Sequence, residues 1–274
     1  MNHANPQFYI HPDAIIGNDV TVSPFSYIDK NVEIGDGTWI GPNVTIFEGA
    51  RIGKNCRIFP GAVISGIPQD LKFMGESTTA EIGDNTTIRE YVTVNRGTSA
   101  ANKTVVGSNC LLMAYVHVAH DCQLGNHVIL ANNVNLAGHV IVEDWAILEG
   151  LVAAQQFVRV GEHSFIAGGS LVRTNVPPFI RAAREPLSYI GVNKVGLARR
   201  GFSDKQIELI RDIYRIIFVK GHNISTALEK VETEFDQSPE REEILSFIRN
   251  SAEGRVKGVI KGFGHMNGNT VYED

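Results

Sequence analysis

From Tyr9 onward an aliphatic residue recurs at every sixth position: Ile10, Ile16, Val22, Ile28, Ile34, Ile40, Ile46, Ile52 and Ile58. The residues between them are mostly small, polar or turn-forming, as in EIGDGT, WIGPNV and RIGKNC. A period of six fits neither the 3.6-residue repeat of an amphipathic helix nor the alternation of a half-buried strand. It fits a β-helix whose triangular coil takes three hexads. The aliphatic residue then points into the prism, and Gly, Asn and Asp serve the corners, where positive φ costs them little. Successive coils should stack at strand spacing, about 4.8 Å.

The hexads are interrupted twice. Residues 67–80 (IPQDLKFMGESTTA) lack the signature and read as a loop thrown out from the prism; a shorter excursion runs from Ser99 to Thr104. From Val105 the sixes continue unbroken to Val176, and Pro177-Pro178 is expected to end the prism. Excursions from a solenoid usually map to its working face. After an irregular stretch the period becomes helical. Ser203 with Gln206 forms a capping box ahead of Ile207, Ile210, Ile213, Tyr214, Ile217 and Phe218, and Gly221 fits a C-terminal stop. A second helix is expected over 225–235 and a third from Ser238-Pro239, with Glu240, Glu242 and Glu243 complementing its N-terminal dipole. The Gly/Asn-rich tail from about Gly262 reads as loose. The expected division is a prism over 1–200 and a helical domain over 201–274.

Composition narrows the function. A net charge of −5 over 274 residues offers no basic surface for nucleic acid and no polybasic membrane anchor. No apolar run approaches the roughly 20 residues that cross a bilayer, and the first residues lack the features of a signal peptide, so a cytoplasmic protein is expected. Cys56, Cys110 and Cys122 all fall at the sixth position of a hexad, which suits small packing residues rather than disulfides or a zinc site.

One hexad departs from the scaffold's needs: His117-Val118-Ala119-His120-Asp121-Cys122. Two histidines and a carboxylate are not required for packing, so chemistry is sought here first. One coil on, 18 residues later, Gly138-His139 should lie roughly 5 Å from His120-Asp121. Isolated histidines are more often structural, satisfied by their neighbours.

The hexads, the Gln69-Asp70-Leu71-Lys72 loop, the His117–Asp121 centre and Arg199-Arg200-Gly201-Phe202 together resemble the acyl-ACP:UDP-N-acetylglucosamine O-acyltransferases, over about residues 9–261. The resemblance implies a left-handed parallel β-helix followed by a small α-helical domain, assembled as a homotrimer with active sites between prisms. It implies transfer of a 3-hydroxyacyl chain from an acyl-carrier-protein thioester to the 3-hydroxyl of UDP-N-acetylglucosamine, the first step of lipid A biosynthesis, with no cofactor or metal. His120 matches the family's general base, Asp121 the carboxylate that orients it, and Gly138 the backbone oxyanion donor. Asp70, Lys72, His117, His139 and Gln156 match sugar-nucleotide and further substrate contacts. Asn193, Arg199 and Arg200 match nucleotide-binding positions, and Gly168 the position limiting acyl length. Two positions depart from the family pattern: Gln155 replaces a usual His and cannot titrate, and Val195 replaces a frequent Glu.

Other readings stay open at this point. A related hexapeptide acyltransferase could use a 3-amino sugar nucleotide. The N-acyltransferase acting later in the pathway carries a uridine-binding domain before its helix, and hexads beginning at about residue 9 leave no room for one. A γ-type carbonic anhydrase would need His117, His120 and His139 converging on zinc. Gln155 alone suggests a non-catalytic paralogue, against which the retained His120, Asp121 and Gly138 argue.

Overall fold

The computed structural model describes residues 7–262. Most hexads contribute a two-residue strand followed by a turn, and the strands stack into three sheets of nine, eight and eleven strands, parallel throughout the hexads. The chain visits the sheets in rotation, so every third strand pairs. Ile28 stacks on Ile46, Ile46 on Ile64, Ile64 on Val94, Val94 on Val118, Val118 on Leu136 and Leu136 on Ala154. These inward residues are buried throughout, whereas Ile10, Ile16 and Val22 at the open end are only partly covered. Full burial of one such side chain contributes about 1.5–3 kcal/mol before entropy is set against it.

Register shows how the excursions are accommodated. Arg51 pairs with Glu81 and Arg57 with Thr87, where a bare coil would pair residues 18 apart; 12 residues are therefore looped out. Glu81 pairs with Val105, so the second coil loops out six. Pairing resumes at Thr79 and at Lys103, slightly earlier than the hexad pattern indicates.

The corners take positive φ once per hexad. Asp19, Asn31, Asn43, Asn55, Asn85, Asn109 and Asn133 do so, as expected for short polar residues. Phe25, Tyr91, Tyr115, Trp145, Leu151 and Phe157 do so as well, an unfavourable conformation that the stacked coils impose. At Gly61 a Cβ would sit 2.6 Å from the Tyr91 ring, so a side chain there would force that ring to move.

Pro177-Pro178 ends the hexads but not the sheet. Ile180–Ala183 pairs with Phe165–Ile166, and Ser188–Val192 returns antiparallel to it. Lys261–Gly262 then adds alongside Ser188-Tyr189, so Gly262 is a strand residue; the rest of the expected loose tail lies outside the described residues. Four helices follow the hairpin: α1 (Lys194–Arg199), α2 (Asp204–Phe218), α3 (Ile224–Glu234) and α4 (Pro239–Asn250). α1 is a helix the sequence pattern did not indicate, and α3 begins at Ile224 behind an Asn223 cap. The Ser203/Gln206 capping box is formed, and Ser238 caps α4 with Pro239 in its first turn. The fully buried Tyr214 of α2 donates its hydroxyl to the Pro178 carbonyl (2.7 Å), binding helices to prism.

The cysteines are free and buried. Burial pushes the Cys110 thiol up to about 11 and the Cys122 thiol up to about 12, which suits packing and not nucleophilic chemistry. No helix among the described residues is long and apolar enough to cross a membrane.

Candidate active site

His117-Val118 forms one strand of the first sheet, between Thr93-Val94 and Asn135-Leu136. Alternation sends Val118 into the core and His117 outward, where its Nδ1 lies 2.7 Å from the Thr93 hydroxyl. Burial and the neighbouring His120 hold the His117 imidazole below its ordinary pKa. The chain then turns a corner and resumes in the second sheet at Gln123-Leu124. Asp121 makes that corner at φ +61°, which an Asp tolerates better than most residues.

His120 is 5% exposed, and its Nδ1 lies 2.8 Å from Asp121 Oδ2. Asp121 is 2% exposed and saturated with donors: the Thr98 N–H at 2.9 Å and Ala101 N–H at 3.3 Å on Oδ1, and the Thr98 hydroxyl at 2.6 Å on Oδ2. Its own N–H donates to Thr104 Oγ1. Burial alone would raise this carboxyl; the bonds from Thr98 and His120 outweigh it and hold the pKa below the usual carboxylate range. Asp121 is therefore ionised at neutral pH and bonded to one imidazole nitrogen, leaving His120 Nε2 as the free face of the ring.

That face lies over Gly138. A Cβ on Gly138 would stand 2.6 Å from His120 Cε1 and 2.7 Å from Nε2, so the ring occupies space that any other residue would claim. Among the described residues no acceptor engages the Gly138 N–H. His139 completes the group, with its Nε2 3.7 Å from Asp121 Oδ2 and its ring edge-on to His120, 5.2 Å between centroids. It stacks on Phe157 at 4.5 Å. Burial lowers its pKa, opposed by Asp121 and Asp70 and reinforced by His120 and Arg255. Asp121 and His139 border a cleft of about 270 Å³, lined also by Ala101, Gln123, Ile141, Phe157 and Arg255.

The remaining candidates fall in three places. Asp70 and Lys72 lie on the long loop, where the Lys72 N–H closes an Asx turn on Asp70 Oδ1 (2.9 Å) and the Lys72 side chain is exposed. Gln155 and Gln156 are exposed on the same edge as His139, just before Phe157. Asn193, Arg199 and Arg200 lie beside a different edge, between the second and third sheets. There Asn193 is buried, caps α1 at Gly196 and donates to the His163 carbonyl. Arg200 lies over Trp145 (5.2 Å) and donates to His163 Nδ1 (3.2 Å), in a ladder of His127, Trp145, His163 and Phe179. Burial, with the Arg200 charge, brings His163 down to about 4, so it is a neutral acceptor. Arg199 and Val195 are exposed. Gly168 sits on the third edge, exposed, its N–H donating to Glu149. One chain thus gathers His117, His120, Asp121, Gly138 and His139, and places Gly168 and the Asn193–Arg200 group on other edges.

Sequence reading missed Thr93, Thr98, Thr104, Phe157 and Arg255. Thr98 immediately precedes the second excursion, and that position was the available signal: the excursion wraps the carboxylate that the histidine hexad exposes. Thr93, paired with His117, follows only from register across an interrupted coil.

His120, Asp121 and His139 are also the described residues whose donor atoms come within 4.8 Å of one another as a metal set would. They fit a metal poorly, because both Asp121 oxygens are already filled by N–H and O–H donors. His117 stands outside that set.

A buried His–Asp pair against a glycine turn, on a prism of hexads, is the architecture of a hexapeptide-repeat acyltransferase. A family model described as bacterial transferase hexapeptide (six repeats) matches residues 31–66 and 103–138, and one described as UDP N-acetylglucosamine O-acyltransferase, domain 2, matches residues 175–259. An acyl-[acyl-carrier-protein]–UDP-N-acetylglucosamine O-acyltransferase of Chlorobium phaeobacteroides is 52% identical over 93% of this chain and 97% of its own length; its counterpart in Chlorobaculum parvum is 50% identical with the same coverage. The crystal structure of a UDP-N-acetylglucosamine acyltransferase from Bacteroides fragilis superposes with a TM-score of 0.91 at 52% identity, covering 94% of this chain and all of that one. The chain belongs to the acyl-[acyl-carrier-protein]–UDP-N-acetylglucosamine O-acyltransferase family, and its prism is the left-handed parallel β-helix of that family.

Proposed function

We propose that the chain moves a 3-hydroxyacyl group from the thioester of an acyl carrier protein to the 3-hydroxyl of UDP-N-acetylglucosamine, the first step of lipid A biosynthesis. The observation that carries this reading is His120, bonded to an ionised Asp121 and facing Gly138. An alcohol needs a positioned base at neutral pH. His120 Nε2 accepts the hydroxyl proton as oxygen attacks the thioester carbonyl, and Asp121 stabilises the imidazolium that forms. The Gly138 N–H donates to the tetrahedral oxyanion; such a donor is worth about 10²–10³ in rate. Collapse expels the carrier's thiolate, which takes the proton back from His120. The reaction needs no cofactor or metal.

His117, His139 and Gln156 hold the sugar at the prism edge, and Asp70 and Lys72 close over it from the loop, where a lysine serves a diphosphate as a point charge. Asn193, Arg199 and Arg200 bind the nucleotide. These groups occupy different edges of one prism, which supports a homotrimer in which one chain's edge completes its neighbour's site. Gly168 leaves the acyl groove open toward longer chains: an added Cβ would meet only the Gly150 carbonyl closely, at 3.1 Å. The working unit is a prism to about residue 200 followed by the helical domain, in the cytoplasm.

Purified protein would be offered UDP-N-acetylglucosamine and its 3-amino analogue with a series of 3-hydroxyacyl carrier proteins. Transfer to the hydroxyl acceptor supports the reading, and the series gives the chain length. Transfer only to the amine reassigns the acceptor. No transfer to either overturns catalysis.

A further inference from the structure

We propose that Arg255 is a phosphate-binding residue of this cleft, holding either the diphosphate of the sugar nucleotide or the phosphodiester of the carrier's phosphopantetheine arm. The proposal deepens the acyl-transfer reading and rests on it.

Arg255 follows α4, far from the histidine hexad in sequence, yet lines the same cleft as Asp121 and His139. Its guanidinium lies 4.5 Å from the centre of the Phe157 ring, the ring on which His139 also stacks. Its charge reaches His139, whose pKa it helps to depress. Among the described residues it has no carboxylate partner: the ion pairs of Arg159, Arg173, Arg211, Arg241 and Arg249 have no equivalent here. An exposed guanidinium held against an aromatic face keeps its planar fork of donors for a ligand, and phosphate, the anionic group that both substrates carry, is one that fork matches bidentately.

Its placement is built and not incidental. Asn175, at the prism edge 18 residues after Phe157, is 3% exposed. Its amide donates to the carbonyls of Val256 (2.8 Å) and Gly258 (3.0 Å), while its oxygen accepts the Arg159 N–H and its carbonyl accepts the Ile260 N–H. One buried side chain therefore clamps the segment on the residue next to Arg255 and ties it to the last coil. Lysine would keep the charge but lose the fork and the stacking.

Arg255→Ala and Arg255→Lys would be compared with wild type in the full-length protein, measuring KM for each substrate with the other saturating. Calorimetry would follow the binding of UDP-N-acetylglucosamine and of phosphopantetheine alone. Loss of a charge-assisted contact raises one KM about tenfold or more in Arg255→Ala, with kcat within about threefold and partial recovery in Arg255→Lys. A rise confined to the sugar nucleotide, matched by weaker binding of UDP-N-acetylglucosamine, assigns the diphosphate. A rise confined to the acyl carrier protein, with weaker phosphopantetheine binding, assigns the arm. Both KM values and both affinities within twofold of wild type overturn the proposal, as does a fall in kcat alone. Because Arg255 is exposed, the variants should keep the wild-type Tm. If wild type binds both ligands but transfers nothing, the acyl-transfer reading fails while the calorimetric comparison still decides Arg255.

Discussion

Gly138→Ala isolates the placement of the proposed base, His120. The new Cβ would stand 2.6 Å from His120 Cε1, whereas ordinary contact begins at 3.4 Å, so the ring must retreat by about 0.8 Å. The ring cannot retreat and keep its bond to Asp121, which is 2.8 Å long and fixed at its far end by Thr98 and Ala101. A displacement near 1 Å of a catalytic group costs about 10² in rate, and loss of general-base catalysis is worth about 10²–10⁴. We therefore expect kcat to fall about 10²–10³-fold with KM for UDP-N-acetylglucosamine changed less than about threefold. Overpacking costs about 1–3 kcal/mol, and a prism of this size should lose no more than about 10 °C in Tm. Initial rates of acyl transfer with separate saturation of donor and acceptor measure the first quantities, and thermal melting the last. A variant with kcat within threefold of wild type would refute the argument that the glycine is there to admit the ring.

Thr98→Val removes the hydroxyl 2.6 Å from Asp121 Oδ2. A depressed carboxylate contributes stability that is fully present above its unfolded pKa, about 3.9, and lost as pH falls through its folded value. Denaturant titrations should show a deficit of about 1.5–3 kcal/mol that holds from pH 7 down to about pH 4 and narrows as pH falls below it; a deficit that stays constant below about pH 4 would exclude the charge as its cause. Glu162 has the opposite sign: burial, then the charges of Glu243, Glu143 and Asp144, raise its carboxyl to about 7. Its ionisation opposes folding as pH rises from about 4.5 through 7, so Glu162→Gln should be more stable than wild type at pH 8, with the advantage lost as pH falls below about 4, as chemical denaturation would reveal. Asn175→Ala should lose about 2–3 kcal/mol of stability through its severed carbonyl bonds and should reproduce the KM change of Arg255→Ala; a KM identical to wild type would show that the clamp does not position Arg255.

The prism was legible because each coil repeats its burial problem locally: Ile28, Ile34 and Ile40 each declare an inward position within their own hexad, and Asn31 and Asn43 declare the corners between. The helix caps were legible for the same reason, since Ser203 and Gln206 meet within one turn. The hairpin of Ile180–Ala183 and Ser188–Val192 was not, because its partners are Phe165-Ile166 and Lys261-Gly262, set by register across the end of the prism. Nor did propensity anticipate Tyr91 or Phe157 at positive φ, where the coil below dictates the turn. In the site, coil arithmetic placed Gly138 and His139 beside His120 and Asp121. Thr98 reaches Asp121 only because an excursion folds back across the corner, and Arg255 reaches Phe157 only through a clamp on Asn175; neither spacing is periodic.

In the proposed reaction His120 takes the proton from the acceptor hydroxyl. Its most direct test is the rate of transfer from a 3-hydroxyacyl carrier protein to UDP-N-acetylglucosamine by wild type and His120→Ala, with calorimetric binding of the sugar nucleotide to both. His120→Ala should lose about 10²–10⁴-fold in kcat with affinity for the sugar nucleotide within a few-fold. A His120→Ala protein that turns over within tenfold of wild type would contradict it.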